Sequence, residues 1–172
     1  MSFDEIKSII TNQFGDIIIS EDEKATPKAI EIAAESLFKT MTCLYEHDQL
    51  YFDMLSCITG LDNGPEAGSM EVIYNLYSIP FDHHLMVKVN LDRKEPQIDS
   101  VSSIWKTADW LEREVFDMYG IAFNNHPDLR RILLPNDWEG YPLRKDYKHQ
   151  DLYHGITVAH EDSLKKEEKG EA

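Results

Sequence analysis

Met70-Glu71-Val72-Ile73-Tyr74-Asn75-Leu76-Tyr77-Ser78-Ile79 is the stretch that sets the fold. One alternate set reads Met70, Val72, Tyr74, Leu76 and Ser78; the other reads Glu71, Ile73, Asn75, Tyr77 and Ile79. Successive side chains of a strand point to opposite faces, so the first set predicts a core-facing row. The turn Asp62-Asn63-Gly64-Pro65 precedes this strand. Before the turn, residues 50–59 predict another strand closed by Gly60. After it, residues 83–91 alternate Leu85, Val87 and Val89 against polar partners.

Outward from these three strands the periodicity changes. Phe3, Ile6, Ile9, Ile10 and Phe14 recur at helical spacing, which predicts a helix over 3–14 ended by Gly15. Residues 16–20 and 28–32 predict short strands, with Glu21-Asp22-Glu23-Lys24 as the turn between them. Leu37, Phe38, Met41, Leu44 and Tyr45 share one side of a second helix over 34–47. The order α-β2-α-β3 implies an α+β, two-layer domain with helices on one face of a mixed sheet.

At 172 residues and 42% apolar the chain predicts one domain with a core and a tail. No apolar run approaches the ~18–20 residues of a membrane span. The N-terminus has no basic segment followed by an apolar one, so a soluble cytoplasmic chain is expected. A net charge of −15 argues against nucleic acid as a partner. Residues 1–104 hold 7 basic and 18 acidic groups, whereas residues 105–149 hold 7 and 8. Arg113, Arg130, Arg131 and Arg144 all fall in that second block. Arginine suits bidentate carboxylate pairing, so this block reads either as a salt-bridged surface or as the place where the protein meets a partner.

A third helix is expected over 107–119, capped by Thr107 and by Gly120. Its inward stripe is Ala108, Leu111, Val115 and Met118. Glu112 falls inside the apolar arc, and a buried carboxylate must be paired or protonated. Pairing with an arginine is the expectation, ahead of a catalytic acid. Trp110 falls on the polar arc beside Arg113, Glu114 and Asp117, either under a loop or awaiting a partner. Pro127, Pro135 and Pro142 forbid a long helix over 124–149, yet the stretch is rich in Leu, Trp and Tyr. Residues 131–134 suit a short strand. The expected organisation is a domain over 1–120, an extended docking arm over 121–150 and a tail over 151–172, with the Lys/Glu-rich 163–172 frayed.

Little autonomous chemistry is legible. An iron–sulfur cluster needs several closely spaced thiolates, and the chain has only Cys43 and Cys57, both expected as buried small hydrophobes. His83 and His84 are adjacent on a strand and so point apart; His149, His154 and His160 have no ligand period. Gly60, Gly64 and Gly68 are turn glycines without a phosphate-loop context. Glu112 points away from Glu114 and Asp117 on a helix, and Arg113 with Asp117 reads as an ordinary i,i+4 pair.

One run carries a resemblance. Trp110-Leu111-Glu112-Arg113-Glu114-Val115-Phe116-Asp117-Met118-Tyr119-Gly120-Ile121 resembles the signature helix of the 30-kDa subunit family of respiratory complex I, the NADH:quinone oxidoreductase. It is followed, in the family's order and spacing, by His126-Pro127-Asp128-Leu129-Arg130-Arg131-Ile132-Leu133-Leu134-Pro135. Then comes Asp137-Trp138-Glu139-Gly140-Tyr141-Pro142-Leu143-Arg144-Lys145-Asp146-Tyr147. Ile58-Thr59-Gly60-Leu61-Asp62 is a weaker echo, and Asn75 stands where the family often has His. The resemblance implies a peripheral-arm subunit on the cytoplasmic side of the cell inner membrane. It would touch the membrane only through the complex and pack against the larger quinone-site subunit of complex I and other peripheral-arm subunits. The holoenzyme would pass electrons from NADH through FMN and iron–sulfur clusters to quinone and couple this to proton translocation, with none of these groups bound by this chain. Arg130, Arg131, Arg144 and Lys145 would pair with carboxylates, some inside the domain, Glu112 first, and some across the interface, while Trp138, Tyr141 and Leu143 supply apolar anchors. Asp146 lies near the end of the matching run. Two alternatives stand beside it: the equivalent subunit of a membrane-bound hydrogenase or other quinone-reducing dehydrogenase, and a metal-dependent hydrolase using His126 with the acidic cluster.

Overall fold

In the computed structural model, which describes residues 1–158, the alternating row Met70, Val72, Tyr74, Leu76 and Ser78 is buried along the whole of one strand. That strand, β4 (Ser69–Ser78), lies inside a five-stranded sheet of order β1-β2-β5-β4-β3. The others are β1 (Ile18–Asp22), β2 (Ala29–Ile32), β3 (Met54–Asp62) and β5 (His83–Asp92). β2 and β5 run parallel and every other neighbouring pair antiparallel, so the sheet is mixed. Val72 sits opposite Val89, and Tyr74 opposite Val87, which keeps the apolar rows of both strands on one face.

The helices cover that face. α1 (Phe3–Phe14) buries Phe3, Ile6 and Ile10, and α2 (Leu37–Glu46) buries Leu37, Met41 and Leu44. α3 (Ala108–Tyr119) packs on β3 through Ala108 and Val115. Each fully buried aliphatic side chain contributes about 1.5–3 kcal/mol of transfer free energy. α1 opens on a capping box: Glu5 N–H donates to Ser2 Oγ (3.3 Å) and Ser2 N–H to Glu5 Oε2 (2.7 Å).

The structure departs from the sequence reading at identifiable places. Gly60 does not close β3, which starts later and runs on to Asp62; a Cβ at Gly60 would meet the Tyr119 ring at 2.6 Å, so the glycine lets α3 approach the strand. Glu21 and Asp22 belong to β1 rather than to a turn. Phe38 is exposed, and Cys57 is half-buried rather than buried. Thr107 does not cap α3; its hydroxyl donates to the Leu55 carbonyl (3.3 Å), across to β3. Two short parallel strands, β6 (Gln97–Asp99) and β7 (Ala122–Asn124), flank α3. Ile121 and Phe123 are thereby buried in the core, so the first residues of the expected arm belong structurally with the domain. A hairpin of β8 (Leu152–Tyr153) and β9 (Ile156–Thr157) forms in the expected tail. The frayed-end expectation for 163–172, and His160, lie outside the described residues.

Candidate functional site: helix α3 and the arm laid over it

α3 carries charge on the face that a helical wheel assigns to solvent, yet Arg113 and Asp117 are buried there, while Glu112 is buried on the apolar face. The cover is the arm. Asp117 Oδ2 accepts the backbone N–H groups of Ile132 (3.0 Å), Leu133 (2.7 Å) and Leu134 (3.0 Å). Its Oδ1 accepts from Arg131 Nη1 (2.8 Å), and Arg131 Nη2 donates to the Gly140 carbonyl (2.8 Å). Residues 131–134 are therefore not a strand; three consecutive amides wrap one carboxylate. Burial pushes the Asp117 carboxyl up, but the three amides and Arg131 outweigh it and hold the group below the usual carboxylate range. The expected Arg113–Asp117 pair is absent: Arg113 donates from Nε to the Arg130 carbonyl (3.3 Å), and its Nη1 lies 3.8 Å from Asp109.

A second clamp sits at the end of β3. Asp62 is buried and takes a bidentate grip from Arg93, with Nε at 2.7 Å and Nη2 at 3.0 Å. It also accepts the Lys145 backbone N–H (2.8 Å) and the Gly64 N–H (2.9 Å). Arg93 bridges on to Asp146, so domain and arm share one guanidinium. The Arg93 hydrogen bond holds Asp62 far below the ordinary carboxylate range. Between the clamps, Arg144 Nε donates to the Tyr119 carbonyl (2.6 Å), and Leu143 N–H to the Met118 carbonyl (3.1 Å), capping the end of α3. Gly120 is left-handed (φ +72°), and a Cβ there would run into the Tyr141 ring. That ring lies about equally close to the guanidiniums of Arg131 (5.1 Å) and Arg144 (4.9 Å).

Glu112 finds no arginine among the described residues. Its Oε2 accepts from Ser100 Oγ (2.6 Å) and its Oε1 from Val101 N–H (2.7 Å), while His126 Nε2 stands 3.8 Å away. Burial raises this carboxyl to about 7, against the two hydrogen bonds that lower it and with Asp109 adding to the rise. Both of its oxygens are thus met by neutral hydrogen-bond donors rather than by a guanidinium. Arg93, Ser100 and the clamping role of Asp62 were not foreseen from the sequence; they lie in strand ends and loops with no pattern of their own.

Other anticipated residues separate. Trp138 donates from its indole N–H to Tyr147 Oη (3.0 Å) and packs near Tyr153, so it anchors the arm to itself. Arg130 is exposed and pairs with Asp128 (2.9 Å). Lys145 reaches the domain chiefly through its backbone, and Glu114 is exposed. Trp110 (61%), Leu133 (59%) and Leu143 (52%) keep large apolar surfaces exposed on α3 and the arm. Among the described residues no group of three or more His, Cys, Asp or Glu could hold a metal ion. Cys43 and Cys57 lie on separate elements and do not fit an iron–sulfur cluster. No helix among the described residues is long and apolar enough to cross a membrane.

Residues 30–153 match the family described as respiratory-chain NADH dehydrogenase, 30 Kd subunit. The chain belongs to this family. A relative from Chlorobium phaeobacteroides, named as the C subunit of NADH-quinone oxidoreductase, is 40% identical over 87% of this chain and 91% of its own length. One of the same name from Chloroherpeton thalassium is 43% identical over 87% of this chain, which spans 62% of that protein. Among solved structures, a trypsin-resistant fragment of Nqo5 is 30% identical over 59% of this chain and 82% of the fragment, with a TM-score of 0.52. A chain of an archaeal membrane-bound sulfane sulfur reductase, a respiratory membrane complex, superposes over 96% of this chain and 91% of its own with a TM-score of 0.72. At 22% identity that likeness is one of fold. For a 30-kDa family member, the buried charges of α3 thus have a structural account: they hold the arm.

Proposed function

We propose that this chain is a structural and assembly subunit, without a redox centre, of proton-translocating NADH:quinone oxidoreductase. It would lie in the peripheral arm on the cytoplasmic side of the inner membrane and pack against the larger subunit at the quinone site. FMN, iron–sulfur and quinone chemistry would belong to its neighbours, and membrane contact would come through them. The observation that carries this reading is the double clamp. Asp117 and Asp62 fix the arm to the domain, and Trp110 on α3 and Leu133 and Leu143 on the arm stay exposed. Aromatic and aliphatic anchors held rigid before binding are what a stable subunit interface uses. Relatives named for NADH-quinone oxidoreductase favour this assembly over a hydrogenase.

The test is affinity isolation of the tagged chain from its native membranes, with subunit identification and an NADH:quinone assay. Co-purification of a flavin- and iron–sulfur-containing assembly with that activity is expected. A nickel hydrogenase, or the chain alone, would overturn the reading. Arg144→Ala and Trp110→Ala should lower the amount of assembled complex without changing the quinone KM of what remains; normal assembly with an altered KM would contradict a structural role.

A further inference from the structure

The Glu112 pocket holds more polar groups than arm attachment requires. Glu112 and the His126 side chain are both fully buried. His126 Nδ1 accepts the Asp128 backbone N–H (3.0 Å), which fixes the proton on Nε2; that N–H donates to the Asp109 carbonyl (3.1 Å). The imidazole is thus neutral and joins α3 to the root of the arm. On its other side Glu112 meets Ser100 Oγ, which is 2.7 Å from Ser102 Oγ, and Ser102 reaches the edge of the buried region. Either serine hydroxyl can be the donor of that pair.

We propose that Glu112 is a proton-exchange site that loads and releases one proton through the Ser100–Ser102 hydroxyl pair, and that its charge sets how firmly His126 holds the arm. In the loaded state Glu112 donates to Ser100 Oγ; on release its proton passes to Ser100 Oγ as the Ser100 proton passes to Ser102 Oγ and the Ser102 proton to water, which leaves Ser100 donating to the carboxylate. Both hydroxyls then point back toward the carboxylate. No bond other than O–H changes. The resulting charge, 3.8 Å from His126 Nε2, adds to the Asp109 carboxylate at 3.7 Å, and the two together compete with the neutral Asp109 carbonyl for the same N–H. As the ring turns toward it, Nδ1 withdraws from the Asp128 N–H and the first turn of the arm loosens. Loss of the proton therefore weakens the hold, and uptake restores it.

The surrounding groups are consistent with a site that stays neutral until asked to ionise. From α3, Asp109 stands 3.7 Å from His126 Nε2 and disfavours a second negative charge; its own charge is partly met by Arg113 at 3.8 Å. From β4, the buried Tyr74 phenol feels the charges of Glu112 and of Asp99 on β6 and makes no hydrogen bond among the described residues. Among the described residues His126 is the one basic side chain within ion-pair distance of Glu112. The burial-driven rise of its carboxyl to about 7 places the exchange near neutrality.

The experiment is amide hydrogen exchange of the full chain across pH values about one unit either side of 7, each rate divided by the intrinsic rate at that pH. In the wild type, protection at Asp128 should fall about tenfold as pH rises, the equivalent of one lost hydrogen bond, while β4 amides hold constant. Glu112→Gln should remove the pH dependence. Ser100→Ala, which deletes a hydrogen bond favouring the ionised form, should move the midpoint upward. A flat wild-type profile, an unchanged profile in Glu112→Gln, or an unmoved midpoint in Ser100→Ala would each overturn the proposal. Should Glu112→Gln fail to fold, the wild-type profile and the Ser100→Ala midpoint decide alone.

Discussion

Asp117→Asn removes one charge and almost no volume, and it strikes the point where the arm is held. Asp117 Oδ2 serves three amides and Oδ1 serves Arg131, all donors. An asparagine has one acceptor oxygen; its NH2 must then face either the amides of Ile132–Leu134 or the Arg131 guanidinium, donor against donor. Hydrogen bonds to a charged group are worth about 1.5–3 kcal/mol each, and breaking a buried pair costs about 3–5 kcal/mol. At roughly 1.4 kcal/mol per factor of ten, a cost of about 3–5 kcal/mol should make arm opening about 100- to 4,000-fold more frequent. Residue-resolved hydrogen exchange reads this directly. The amides of Ile132, Leu133 and Leu134 should lose that much protection, while Val87 and Val89 in β5 keep theirs. Unchanged protection at the three amides would refute the clamp. The wild type should show the same release only in acid. Because the folded carboxyl lies below its ordinary value of 3.8, its contribution is present above that pH and lost as pH falls through the lowered value. Asp117→Asn should lack that acid transition.

Three further outcomes follow from the geometry. Gly120→Ala must adopt φ +72° and drives a methyl group into the Tyr141 ring; the left-handed backbone alone costs about 1–2 kcal/mol, so Tm should drop by several degrees, and an unchanged Tm would mean that Tyr141 yields freely. Arg93→Ala strands Asp62 in a buried site at a cost of about 3–5 kcal/mol, and adding Asp62→Asn should recover part of it in a double-mutant cycle of denaturation midpoints; strict additivity would show that the two do not interact. Stability of the wild-type chain should decline by about 3 kcal/mol as pH rises from 4.5 to about 7, because the folded carboxyl of Glu112 binds its proton more tightly than the unfolded one. Glu112→Gln should lack this component in a pH series of urea melts, and equal slopes for the two proteins would refute it.

The sequence by itself determined the layered α+β fold. Alternation along 70–78, helical spacing along 3–14 and the turn at 62–65 depend only on where successive side chains point, a property of the local backbone. The same periodicity placed Glu112 inside and Trp110 outside, and both are found so. Tertiary structure alone decided what those residues meet. Periodicity assigned Arg113 and Asp117 to solvent because the arm that covers them lies in no regular element, and irregular chain carries no period to read. Pairing of β6 with β7 escaped for a related reason: three residues are too few to alternate, and parallel partners separated by a helix are joined by contacts distant in sequence. The choice between an arginine and neutral hydrogen-bond donors for Glu112 was likewise beyond the sequence. Either satisfies a buried carboxylate, and only the folded positions of Arg131, Arg144 and His126 determine which one reaches it.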